Sequence, residues 1–157
     1  MKKLLLLTSL FFVLSCTKGK DGLVSFEAFL TKYDGTGFVY SGEISDQYIF
    51  FYDSDIFLKE VEVYYPDLDT YCDSVKRGSN TDDGYNFSAE ILVNDPKDLE
   101  IKISYTDEEG NAISSNYFYR EVCNTPTCTV RSIKVTQDDG SVKTYSETSV
   151  THSSLCN

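Results

Sequence analysis

The sequence predicts an all-β fold, an antiparallel β-sandwich, from three observations. Apolar and polar residues alternate with period two along much of the chain, and no long stretch carries a 3.6-residue period. Turn residues punctuate the runs: Tyr33-Asp34-Gly35, Asp82-Asp83-Gly84, Asn94-Asp95-Pro96, Glu109-Gly110-Asn111 and Asp139-Gly140. Pro66, Pro96 and Pro126, all the prolines there are, fall between runs, where a missing backbone donor costs no ladder bond. Taken in order, the expected strands are Val24–Leu30, Phe38–Gly42, Tyr48–Tyr52, Glu60–Val63, Tyr85–Val93, Glu100–Tyr105, Asn116–Val122, Thr129–Gln137 and Val142–Val150. In Glu60-Val61-Glu62-Val63 the alternation is strict and reads as one buried and one wet face. Asp139-Gly140 between two such runs predicts a type I′ hairpin, since both residues tolerate positive φ.

Part of this pattern resembles a family. Tyr48-Ile49-Phe50-Phe51-Tyr52-Asp53-Ser54-Asp55 followed by Leu58-Lys59-Glu60-Val61-Glu62-Val63-Tyr64-Tyr65 resembles the B and C strands of bacterial immunoglobulin-like modules. Asp83–Glu90 fits their E strand, and Leu99–Asp107 with Gly110-Asn111 their F strand and F–G turn, so the likeness spans residues 46–121. It departs from the family in lacking a core Trp and a B–F cystine. The resemblance implies an antiparallel immunoglobulin-like β-sandwich with an added C-terminal β-hairpin, and a role in adhesion, spacing or ligand display.

Residues 1–15 read as a secretory signal. Lys2-Lys3 is a basic start, and Leu4–Leu14 is an apolar run of 11 residues, short of the roughly 20 that span a bilayer. Val13-Leu14-Ser15-Cys16 resembles the bacterial lipobox, which implies a diacylated Cys16 at the mature N-terminus and anchorage in the envelope at the outer membrane. Residues 16–22 then form a flexible tether and residues 23–157 the domain.

An exported chain with Cys72, Cys123, Cys128 and Cys156 is expected to hold two disulfides. Cys123 with Cys128 would clamp a turn, leaving Cys72 with Cys156 to pin the chain end. The other pairing considered is Cys72 with Cys123 and Cys128 with Cys156. A Cys₄ zinc site is disfavoured, because the spacing lacks paired C-x₂₋₄-C knuckles.

The composition narrows the function. There are 14 Lys and Arg against 25 Asp and Glu, a net −11, and cleavage before Cys16 would take this to −13. Such a charge argues against nucleic acid as a partner, since phosphate contacts need clustered cations. His152 is the sole imidazole, near the end of the chain with no orienting carboxylate beside it, and reads as part of a solvated polar tail. The expected function is therefore a non-enzymatic, lipid-anchored binding, adhesion or spacer module facing a protein or glycan ligand. A carbohydrate-binding lipoprotein using exposed Tyr is the alternative, ahead of a small hydrolase or inhibitor.

The aromatic clusters Phe50-Phe51-Tyr52, Tyr64-Tyr65 and Tyr117-Phe118-Tyr119 must each turn one ring outward on a strand. Acidic turns give the one candidate metal site, a weak structural calcium. In an immunoglobulin-like sandwich Asp53 and Asp55, Asp82 and Asp83, and Asp107, Glu109 and Asn111 would converge on one pole. Ser79–Glu90 matches an EF-hand loop at only three positions, which is chance. Asp73-Ser74-Val75 resembles a short bacterial O-glycosylation signal.

Overall fold

A computed structural model describes residues 27–80, 87–107, 109–123 and 131–156. The described residues are all-β apart from two one-turn helices, and every strand pairing among them is antiparallel. The elements are α1 (Phe29–Lys32), β1 (Gly37–Ser41), β2 (Ser45–Phe51), β3 (Ile56–Tyr64), β4 (Thr70–Lys76), β5 (Gly78–Asn80), β6 (Phe87–Asn94), β7 (Asp98–Thr106), β8 (Ala112–Cys123), β9 (Arg131–Gln137), β10 (Val142–Thr148) and α2 (His152–Leu155).

All ten strands belong to one sheet, in the order β4-β3-β2-β1-β10-β9-β8-β7-β6-β5. Its two edges, β4 and β5, are joined by Arg77 alone, with Gly78 at φ 82° turning the chain. That short link brings the edges together, and the sheet is a nearly closed barrel. The all-β antiparallel expectation is met, while the immunoglobulin-like sandwich with an added hairpin is not confirmed: the strands form one sheet, and β9 and β10 lie within it between β8 and β1. Alternation reports that each strand has one buried face. It does not report whether that face looks at a second sheet or across a lumen.

Register shows which residues point inward. Phe38 lies opposite Ile49, Ile49 opposite Glu60, and Glu60 opposite Asp73; Tyr40, Gln47, Glu62 and Tyr71 form the neighbouring row. Directly paired residues share a face, and Phe38 and Ile49 belong to the core, so both rows face the lumen. The barrel is sealed at one end. There α1 inserts Phe29 and Leu30, with Tyr33 just after it, against Phe38, Phe51 and Tyr119. The rings meet tilted or edge to face, 5.2 Å from Phe29 to Phe51 and 5.5 Å from Phe51 to Tyr119. Polar groups hold the plug: Leu30 N–H donates to Asn94 Oδ1 at 3.0 Å, Thr31 Oγ1 donates to Asp53 Oδ2 at 2.6 Å, and Lys32 pairs with Glu121. The run Val24–Leu30, expected as a strand, therefore ends in this helix, whose two apolar residues cap the barrel; residues 24–26 lie outside the described residues.

The β9–β10 turn also differs from expectation. Gly140 alone has positive φ (83°), and its N–H donates to Gln137 O at 2.9 Å. The turn is thus a three-residue connection with glycine in the left-handed position, and not a type I′ pair. Beyond β10 the chain crosses the outer wall, where His152 packs edge-on to Phe50 with centroids 5.7 Å apart. His152 Nε2 is buried without a hydrogen-bond partner among the described residues. The expected solvated tail is instead a packed strap.

Candidate functional site

The lumen changes character along its length. On three adjoining strands the inward row runs from apolar at the sealed end to polar at the other: Phe51, Ile49, Gln47 on β2; Leu58, Glu60, Glu62 on β3; Val75, Asp73, Tyr71 on β4; beyond β1, β10 adds Tyr145 and Lys143. The polar stretch surrounds a cavity of about 240 Å³, completed across the lumen by Tyr117 of β8 and Gln137 of β9. Beyond it a shallower hollow opens on Glu62, Asp69 and Asp73, flanked by Tyr64 and Tyr71, so the cavity reaches the rim.

A hydrogen-bonded network occupies part of this wall. Lys143 Nζ donates to Gln47 Oε1 at 2.7 Å and Tyr145 Oη donates to the same atom at 3.3 Å. The amide passes this on, Gln47 Nε2 donating to Glu62 Oε1 at 2.9 Å. Glu62 also accepts from Ser45 Oγ at 2.7 Å and Tyr64 Oη at 2.7 Å. Burial alone would raise the Glu62 pKa; the donors Gln47, Tyr64 and Ser45 outweigh it and hold the group below the usual carboxylate range.

Glu60 is the opposite case. It takes no hydrogen bond from any described residue, and its register partner is a second carboxylate, Asp73. Its side chain keeps accessible surface toward the open lumen while the surrounding barrel wall packs about it. Enclosure is the main cause that pushes its pKa up to about 7; Asp73 and Glu62 add to the rise, and Lys143 opposes it without cancelling it. Burial and the nearby Glu60 likewise raise the phenol of Tyr117.

The residues expected to matter are placed as follows. Cys72 and Cys156 are bonded, with Cα atoms 6.2 Å apart, as in the first of the two pairings. Cys123 is also disulfide-bonded. Cys16, Asp82, Asp83 and Cys128 lie outside the described residues.

Those of the acids proposed for calcium that are described divide between the two ends of the barrel. Asp53 and Asp55 sit in the β2–β3 turn at the sealed end, where Asp53 accepts from Thr31 and faces Arg77 at 3.8 Å. Asp107, Glu109 and Asn111 lie in the β7–β8 turn at the opposite end. There Asp107 accepts from Asn111 Nδ2 at 3.0 Å and Asn111 N–H at 2.7 Å, bonds that lower its pKa and account for an acid in that turn. Among the described residues no group of three or more His, Cys, Asp or Glu is arranged to hold a metal ion.

In one aromatic cluster exposure alternates, Phe118 on the outer wall and Tyr119 buried, whereas Phe50 and Phe51 are both buried and Tyr64 and Tyr65 both exposed. The exposed rings Tyr64 and Tyr71 at the rim meet at 87°, not in one plane.

Sequence reasoning missed Glu60, Asp73, Gln47 and Lys143, because a polar residue on an alternating strand reads as facing water. The signal that marks Gln47, Glu60 and Asp73 is the shared gradient on β2, β3 and β4, each inward row passing from apolar to polar toward the same end; Lys143 on β10 carries no such signal. The chain matches no family model, no curated protein and no solved structure.

Proposed function

We propose that the protein is a non-enzymatic binding module, tethered to a bacterial envelope through lipid on Cys16, that captures a small polar ligand in the open end of its barrel. The observation that carries this reading is the contrast between the two ends of the lumen. One is filled by α1 and a ring of aromatics, and the other keeps a polar cavity in which Glu60 and Asp73 have no hydrogen-bond partner among the described residues. Sites for small ligands are concave, with a few converging polar groups, and the mouths of barrels are one of their usual places. Asymmetric sealing is also what a receptor needs, since it leaves one entrance and gives the ligand a floor.

Catalysis is not favoured by the same cavity. Glu62 and Lys143 are tied up in the wall network, and the one imidazole, His152, packs on the outer wall. A second reading, glycan binding by rim tyrosines, draws on the exposure of Tyr64, Tyr65 and Tyr71 (36%, 45% and 63%). The perpendicular Tyr64–Tyr71 pair makes a poor stacking platform, so the lumen is preferred.

Two measurements test the proposal. Cys16→Ala should move the protein from the detergent phase to the aqueous phase while the barrel stays folded; retention in detergent would remove the anchor. For binding, the full chain in detergent is titrated with small alcohols, carboxylates, methyl glycosides and amines, following tyrosine fluorescence. A saturable change with at least one class supports a lumen receptor, and a flat response to all four removes it.

A further inference from the structure

We propose that the cavity selects a small organic cation, a primary amine or quaternary ammonium, held between Glu60 and Asp73. The proposal rests on the receptor reading and specifies its ligand.

Glu60 and Asp73 are directly paired across β3 and β4, on the lumen face. Paired residues have Cβ atoms about 4.5–5.5 Å apart, and like charges at that spacing destabilise a sheet. The cost persists here because neither carboxylate has a hydrogen-bond partner among the described residues. Lys143 lines the same cavity but gives its short bond to Gln47. That bond goes to a neutral amide oxygen, no ion pair joins Lys143 to either acid among the described residues, and its charge offsets the pair only in part. A positive group entering from the mouth would meet two acceptors already in place.

The surroundings decide between kinds of ligand. Anions and fatty acids are excluded by three carboxylates against one lysine, and the apolar floor is filled by side chains, leaving no depth for a hydrocarbon tail. Neutral sugars would satisfy hydrogen bonds but leave the paired charges uncompensated. A hard divalent ion needs six or more oxygens, and Glu62 already accepts from three donors. An organic ammonium needs fewer: N–H donors or a diffuse charge toward the carboxylates, and aromatic faces elsewhere. Tyr71 and Tyr117 line the same cavity and supply those faces. At about 240 Å³ the cavity falls below the roughly 300–1,000 Å³ of sites for drug-sized ligands, which fixes the cation as a small one.

Binding should also release a proton. The charged groups facing Glu60 are Glu62 from its own strand, Asp73 from β4 and Lys143 from β10, with the phenols of Tyr117 and Tyr145 completing the wall. A cation favours the ionised pair, so its affinity should fall as pH drops through the neutral range, by up to about tenfold per unit.

The test uses the full chain in detergent at pH 8, titrated with n-butylammonium and tetramethylammonium, and in parallel with n-butanol, butyrate and methyl glucoside. Lumen tyrosine fluorescence is the readout, helped by the absence of Trp. At least one cation is expected to bind at least tenfold more tightly than butanol, and to lose tenfold or more in Glu60→Gln and in Asp73→Asn. Asp55→Asn, at the sealed end, should bind as the parent does. Equal or tighter binding of butanol, butyrate or the glucoside, or cation affinity unchanged in both lumen variants, overturns the cation assignment and leaves the receptor standing. If no probe produces a saturable change, both fall.

Discussion

A carboxylate enclosed beside a second carboxylate raises the free energy of the fold whenever it is ionised, and Glu60 is such a group. Its pKa rises from the ordinary 4.5 to about 7 on folding. Below pH 4.5 it is protonated in both states and costs nothing. Between pH 4.5 and 7 the unfolded chain gives up its proton more readily, so stability falls as pH rises, and above 7 the loss is complete. Glu60→Gln should therefore stabilise the protein at pH 8.5 by about 1 kcal/mol, discounted for water in the lumen, or roughly 2–4 °C in Tm. At pH 4.5 the two proteins should melt together; an equal shift at both pH values would mean the pair is not the cause.

Gly37 shows a second constraint at this scale, steric and not electrostatic. A Cβ there would lie 2.6 Å from Phe50 Cε1 and 3.1 Å from the Val150 carbonyl oxygen. Phe50 cannot retreat freely, with Tyr48 beside it and His152 against its edge. Gly37→Ala should cost about 1–3 kcal/mol by chemical denaturation, and Phe50→Leu in that background should recover part of it.

Among the elements, the short helix α1 does most to make the barrel asymmetric. It has no side-chain cap and a single turn, so it would not persist alone. Burial of Phe29, Leu30 and Tyr33 in the barrel end holds it in place. Phe29→Ala should cost about 3–5 kcal/mol, and probe binding at the far mouth should survive wherever the fold does. A melting temperature within a degree of the parent would show that the plug is dispensable.

The elements also mark how far the sequence could be read. Eight of the expected strands are present within a few residues, because Phe38–Gly42 or Glu100–Tyr105 alternate as any half-buried strand must. The strand β4 was not legible. Its inward row is Tyr71, Asp73 and Val75, and the polar lumen erases the apolar period that would announce it. The site was hidden for the same reason, Glu60 and Glu62 reading as a wet outer face. Strand order was beyond reach as well, since it rests on the turn at Arg77-Gly78 bringing two edges together, a long-range outcome with no local pattern.

The whole molecule closes on itself with one weak seam. Every neighbouring pair of strands is hydrogen-bonded except β4 and β5, the two edges of the sheet. Unpaired edges invite fraying and intermolecular pairing. The disulfide lies beside this seam: Cys72 on β4 bonds Cys156 just after α2, and α2 itself rests on β3. The link spans a separation of 84 residues, for which chain entropy alone predicts about 4.6 kcal/mol of stabilisation. That contribution acts on the unfolded chain and should be felt equally by every amide that exchanges only through global unfolding. A second contribution is local, since the bond ties an edge strand to the strap over its neighbour. In the Cys72→Ser, Cys156→Ser double variant, the slowest amides of β8, β9 and β10 should all lose protection by one common amount, about 2–5 kcal/mol. Amides of β4 should exchange faster still relative to those strands than they do in the parent. If β4 loses no more than the β8–β10 core, the bond stabilises through the unfolded state alone and does not close the seam.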